Sequence, residues 1–321
     1  NVEMLLFFRM VQGAISGFIA SALALVSSST PREKSGYAIG ILQTASASGT
    51  VIGPLVGGAL ADLFGYRPLF FIVAAFCALA GVVVVKYVRE THEERIDSVS
   101  LHALIDNYRY ALRSKHIRIA LGIILLSQAA ILMIQPIFSL YVDSFEINKE
   151  YLATISGAIF STTGLAMVIS APWWGKRNDA KSYKKNLSIA IIGSAAAFAA
   201  QGMVTEAYHL IVLRSVQGLF LGGLLPTLYS YVTKNTSQER RGGIIGIASS
   251  FSVLAAMIGP PLGGLIAAEV GLRQNFFITG GILFSAVILV RFFFVDIRGS
   301  DHFPQPVATG VAEAEMLEDA S

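Results

Sequence analysis

Charge is scarce in this chain. Asp, Glu, Lys and Arg make up 14% of it, where a soluble domain carries about 25%. A chain so poor in charge cannot cover itself with solvated side chains, which excludes an ordinary water-soluble globule. Cysteine is rarer still: Cys77 is the only one, which excludes an internal disulfide framework and a cysteine metal site. It falls in an apolar run and is expected to be a small packing residue. The five histidines lack metal spacing. There is no His-Glu-x-x-His, no P-loop and no nucleophile elbow. No enzyme is expected, no cofactor or metal, and no direct use of ATP. The basic residues lie in short connections rather than on one soluble face, which argues against nucleic acid as a partner.

Apolar residues are abundant, at 54%, and the mean hydropathy is +0.63. Nine apolar runs stand out, at 4–29, 37–62, 68–89, 117–142, 151–175, 186–204, 207–233, 243–268 and 274–297. A helix of about 19 residues crosses the roughly 30 Å hydrocarbon core, so the chain reads as an all-α integral membrane protein. Residues 90–116 form a charged central connection and 299–321 a polar tail expected to be disordered. The connections 30–36, 86–118, 176–185 and 234–241 hold most of the lysine and arginine, whereas the alternate ones hold only Arg67, Lys149 and Arg273. The basic set is therefore placed in the cytoplasm. The chain enters an apolar run almost at once after Asn1 and is expected to be part of a longer protein.

An internal repeat joins the two ends. Gly49-Thr-Val-Ile-Gly53-Pro54-Leu-Val-Gly57-Gly58 returns as Ala255-Ala-Met-Ile-Gly259-Pro260-Pro261-Leu-Gly263-Gly264, 206 residues later. Arg9-Met-Val-Gln12-Gly13 returns as Arg214-Ser-Val-Gln217-Gly218. Gly65-Tyr-Arg67 returns as Gly271-Leu-Arg273. Three consecutive spans thus match three later ones in order and orientation, and such parallel repeats of helix bundles are a transporter architecture. Gly49, Gly53 and Gly57 recur every fourth residue, so they form one helical stripe that permits close helix approach in lipid.

In these motifs the chain resembles the major facilitator superfamily and, within it, the twelve-span drug:proton antiporters. Arg9, Gln12 and Gly13 match that family's fourth-span motif. Gly49, Gly53, Pro54, Gly57 and Gly58 match its fifth-span antiporter motif without a gap. Gly175, Asp179 and Lys184 keep part of a gating-loop motif that has lost its central Arg and Gly. The resemblance implies about nine of twelve helices. Residues 1–89 would be the last three of the N-terminal six-helix bundle, 90–116 the cytoplasmic central loop, 117–298 the C-terminal bundle and 299–321 the tail. It implies a multi-pass protein of the cell membrane, expected as a monomer, whose partners are small amphipathic molecules, protons and the lipid bilayer.

Buried cations in spans are functional candidates by default. Arg9 is expected in proton coupling by resemblance, and Arg214 is its repeat partner, for which an ion pair or carbonyl clamp is the plainer reading. Gly259, Pro260 and Gly263 echo the antiporter motif. Gln128 and Gln135 lie seven apart, which places them on one face of a continuous helix. With Phe138 and Tyr141 they form a mixed polar and aromatic surface suited to amphipathic substrates, or a polar contact between helices. Trp173 and Trp174 precede a basic loop, where an interfacial belt is expected. The resemblance implies proton-driven efflux of amphipathic drugs by alternating access. A carrier for one metabolite or sugar, or a non-functional remnant, are the alternatives.

Overall fold

The structure is a computed structural model that describes residues 2–15, 22, 25, 26, 32–88, 101–145, 147–180, 182–237 and 240–294. The central segment 89–100 and the tail from 295 onward lie outside the described residues. Helices account for nearly all of the rest, because a chain in hydrocarbon must satisfy its backbone polar groups internally. They are α1 (Val2–Ile15), α2 (Arg32–Phe64), α3 (Tyr66–Tyr87), α4 (Leu101–Arg113), α5 (Lys115–Met133), α6 (Phe138–Asp143), α7 (Leu152–Ala180), α8 (Tyr183–Gly202), α9 (Ala207–Lys234), α10 (Arg241–Glu269) and α11 (Leu272–Phe293). A single 3-10 turn, Lys149–Tyr151, leads into α7.

Among the described residues, seven helical stretches are long and apolar enough to cross a membrane. They are Thr44–Phe64, Tyr66–Tyr87, Lys115–Asp143, Lys149–Asn178, Ala207–Lys234, Arg241–Glu269 and Leu272–Phe293. The expected span at 186–204 is present as α8, although it is not among the seven. The expected span at 4–29 is described as a helix only as far as Ile15.

The chain divides into two compact units. One holds Asn1–Ser100, Phe138–Val168 and Thr205–Ser215; the other holds Leu101–Ile137, Ile169–Val204 and Val216–Ser321. In the first, α2 packs on α3 and on the start of α7. No residue of α3 is buried, and Phe70, Phe71 and Phe76 are open on its flanks. Apolar side chains carry no penalty for facing lipid. Cys77 is exposed on this helix, which corrects its expected role as a packing residue: α3 has no buried face for it to fill.

In the second unit α5 runs against α10 and α11, and α8 against α11. Ile117, Leu121, Ile124, Leu187, Phe198, Ile244, Phe276 and Leu283 are buried there. The central connection is not wholly irregular: α4 packs on the start of α10. Its Asn107 amide lies where a methyl on Gly243 would be, and its Tyr110 ring lies 5.2 Å from the Arg240 guanidinium.

The repeat is visible in the turns. Gly65 ends α2 with φ 82° and Gly271 ends α10 with φ 116°. Both occupy backbone regions that only glycine enters readily, and each starts the next helix at once.

One expected element is interrupted. α5 ends at Met133 and turns through Ile134, Gln135, Pro136 and Ile137 before α6 begins. Pro136 has no amide to donate and crowds the carbonyl four residues back. The seven-residue spacing of Gln128 and Gln135 therefore does not place them on one continuous helical face, which corrects that premise.

Candidate functional site

The antiporter-like helix α2 meets α7 backbone to backbone. A methyl on Gly58 would overlap the backbone of Ala153, and one on Gly157 would overlap the carbonyl of Pro54. One on Gly164 would stand 3.0 Å from Val51 Cγ2. Ala153, Gly157 and Gly164 share a face of α7 by helical spacing. The contact is completed by a carboxylate at the end of α2. Asp62 Oδ1 accepts from the Ala153 amide at 3.1 Å, and Oδ2 accepts from the Thr154 amide at 2.6 Å. These are first-turn amides with no carbonyl partner inside their own helix, and a carboxylate also suits the positive end of the helix dipole.

The close approach thus runs through Gly58. For Gly49, Gly53 and Gly57, no atom among the described residues comes within 4 Å of an added methyl. Their repeat partners are differently placed. Methyls on Gly259 and Gly263 would collide with the backbones of Ala129 and Met133, whereas Gly264, the partner of Gly58, is open. The buried Asn275 amide donates to the Gly263 carbonyl at 2.7 Å. Pro260 lies inside α10, as Pro54 lies inside α2.

Arg214 is the most constrained cation among the described residues. It is 4% exposed, and its guanidinium carbon lies 3.8 Å from the Phe138 ring centroid and 4.9 Å from that of Phe160. The two rings meet edge-on, 5.8 Å apart. Nε and Nη2 have no hydrogen-bond partner. Each desolvated cation–π contact is worth about 2 kcal/mol, against several kcal/mol to bury the ion. The rings offset part of that cost, and Nε and Nη2 offset none. The expected ion pair or carbonyl clamp is not what holds Arg214 among the described residues. Phe160 shares a face of α7 with Ser156 and Thr163, whose buried hydroxyls also lack partners.

Where the degraded gating loop was expected, there is a buried polar network. Asn186 Nδ2 donates to Asn178 Oδ1 at 2.9 Å and to the Arg177 carbonyl at 3.1 Å. Arg177 Nε donates to Asn186 Oδ1 at 2.9 Å, and Asn178 Nδ2 to Thr227 Oγ1 at 2.8 Å. Asn178, Asn186 and Thr227 are all buried. They tie the end of α7 to the start of α8 and to α9. Of the residues singled out by motif, Gly175 has no atom within 4 Å of an added methyl, and Lys184 is half-buried on the first turn of α8. The Asp179 side chain lies outside the described residues. Asn186 and Thr227 are polar positions within apolar runs and were the available signal, whereas Arg177 and Asn178 stand in the basic connection 176–185.

The two tryptophans part company. Trp173 is exposed and faces the Arg177 guanidinium at 5.0 Å, as a belt residue would. Trp174 is buried, occupies the space beside Gly223, and donates from Nε1 to the Leu219 carbonyl at 2.7 Å. It is a core residue, which corrects its assignment to the belt. Arg9 is exposed, and its Nη1 donates to Gln12 Oε1 at 3.3 Å one turn on. Gly13 is exposed on the same helix. Gln128 is half-buried, Gln135 exposed, and Phe138 and Tyr141 buried. Phe138 is joined to Arg214; Tyr141 stacks edge-on against Phe145.

Comparison with known proteins gives a concordant result. The family model described as Major Facilitator Superfamily matches residues 1–157 and again 122–314. The multidrug resistance protein MdtG of Salmonella arizonae is 34% identical over 289 residues, covering 89% of this chain and 71% of that protein. MdtG of Salmonella paratyphi B matches to the same extent. Among solved structures, a bacterial homolog to the human lysosomal transporter Spinster, in an inward-facing and unoccupied conformation, superimposes with a TM-score of 0.60. It is 16% identical and covers 85% of this chain and 74% of that one. At that identity the likeness concerns the fold.

Proposed function

Because the chain belongs to the major facilitator superfamily, we propose that this multi-pass membrane protein is an exporter of amphipathic compounds, driven by protons entering in exchange. Secondary transport follows from the family. The efflux direction rests on one observation above the others: 34% identity over 289 residues to multidrug resistance proteins. That alignment covers most of a chain carrying the uninterrupted Gly49–Gly58 motif. The backbone contact of α2 with α7 supports the same reading. The motif-bearing helix α2 and α7, a helix of the expected C-terminal bundle, meet without side chains between them, and such a seam resists leakage of ions while two bundles rock. The location is the cell membrane, and the working unit is a monomer. The central segment 90–116 faces the cytoplasm, and bundles of helices flank it at 1–89 and 117–298.

Arg9 is assigned to proton coupling, with Gln12 as its acceptor one turn away. The test is a panel of fluorescent amphipathic dyes in cells expressing the full-length protein. Extrusion that stops when a protonophore is added supports the reading. Saturable uptake of a single sugar or organic acid, with no dye extruded, rejects it.

A further inference from the structure

We propose that Arg214 is the receptor for the anionic group of a transported amphiphile, so that the site selects compounds carrying a carboxylate or a similar two-oxygen anion. The proposal rests on the transporter reading and adds a substrate class to it. Three observations carry it. First, the two guanidinium atoms without a partner are Nε and Nη2. These lie on one edge of the group and form the fork that grips a carboxylate with two parallel hydrogen bonds. Second, two aromatic rings lie against the guanidinium carbon, Phe138 at 3.8 Å and Phe160 at 4.9 Å. The rings supply apolar surface beside the charge, as an amphiphile requires. Third, Ser156 and Thr163, one turn to either side of Phe160 on α7, hold buried hydroxyls with no partner. A serine or threonine in a helix normally returns its hydroxyl to a carbonyl of the preceding turn; these two remain available as further donors.

No carboxylate among the described residues occupies the fork. Asp62 is engaged by the Ala153 and Thr154 amides, and no oxygen of Asp143, Glu150 or Glu206 is bonded to Arg214. Arg214 lies seven residues into α9, about 10 Å from its start, and is buried. A site that is closed in one conformation and opens in another is what alternating access provides.

The experiment uses the purified full-length protein in lipid nanodiscs and three probes of one shape: 2-naphthylacetate, its neutral amide, and 2-naphthylethylammonium. Binding is measured by calorimetry. The wild type should bind the acetate about tenfold more tightly than the amide, the margin of a charge-assisted fork. Arg214→Gln should remove that preference and leave amide affinity within about twofold. Arg214→Lys should keep part of it, since the charge stays and the fork is lost. Equal affinity of the wild type for acetate and amide overturns the proposal, even if Arg214→Gln does not fold. An equal loss of both ligands in Arg214→Gln, or a lower melting temperature with unchanged selectivity, also overturns it: the fork would then serve a carboxylate of the protein itself. Dye extrusion by the same samples in vesicles separates this from the transporter reading. If extrusion is present while anion preference is absent, only the present proposal fails. Anion preference without transport of any compound counts against the transporter reading and leaves the binding site standing.

Discussion

Asp62 Oδ2 accepts a hydrogen bond from the Thr154 amide at 2.6 Å, so the end of α2 caps the start of α7. The two residues are 92 positions apart, and Asp62 serves a second amide, that of Ala153. The bond ties α2 to α7 at the place where their backbones touch.

Removing this cap should weaken the protein without altering its ligands. Loss of a capping carboxylate costs about 0.5–2 kcal/mol. Asp62→Ala should lower the melting temperature in detergent by several degrees, and Asp62→Asn, which keeps one oxygen, by less. An unchanged melting temperature for Asp62→Ala would mean that the cap contributes nothing.

The repeat allows a matched pair of substitutions. Gly58→Ala forces a methyl into the backbone of Ala153, whereas Gly264→Ala, its repeat partner, enters open space. Overpacking costs about 1–3 kcal/mol. Gly58→Ala should reduce folded yield and efflux, and Gly264→Ala should do neither. Gly263→Ala, which meets the backbone of Met133, should resemble Gly58→Ala. Equal tolerance of all three would remove the seam from the account.

The network around Asn186 gives a third expectation. Asn186→Leu leaves Asn178 Oδ1 without one of its two donors and Arg177 Nε without an acceptor. Stranding buried polar groups costs about 1–3 kcal/mol. Thermal unfolding should show the loss, and Thr227→Val, which removes one hydroxyl, should show a smaller one. Insertion into the membrane should be normal in both.

Arg9→Lys keeps the charge and loses the planar fork. Efflux should fall by about tenfold or more while the amount of protein in the membrane stays near wild type, if recognition by Arg9 is worth about 1.4 kcal/mol. Efflux at the wild-type rate would show that any positive charge suffices there.

Much of the architecture was legible from the residues. Apolar runs, the 206-residue repeat and the glycines at 65 and 271 announced the helices and their turns. The partners of the motifs were not legible. In lipid, a helix face that packs on another looks no more apolar than one that faces acyl chains. Nothing in the sequence therefore pointed from Gly58 to Ala153, or separated Gly58 from the stripe beside it. The same reason hid the exposure of Cys77 and the burial of Trp174. The break after Met133 coincides with Pro136, a residue that the seven-residue spacing of Gln128 and Gln135 leaves out of account. Arg214 was visible as a costly cation, but the rings that hold it come from α6 and α7, far away in sequence.

The most direct test of the central claim is proton movement tied to substrate. The full-length protein is reconstituted into liposomes holding a pH-sensitive dye, a pH gradient is imposed, and an amphipathic compound is added. The account predicts a proton flux that starts with the compound, runs opposite to it, and is lost in Arg9→Lys. Movement of the compound with no change in internal pH, undiminished by a protonophore, would contradict it.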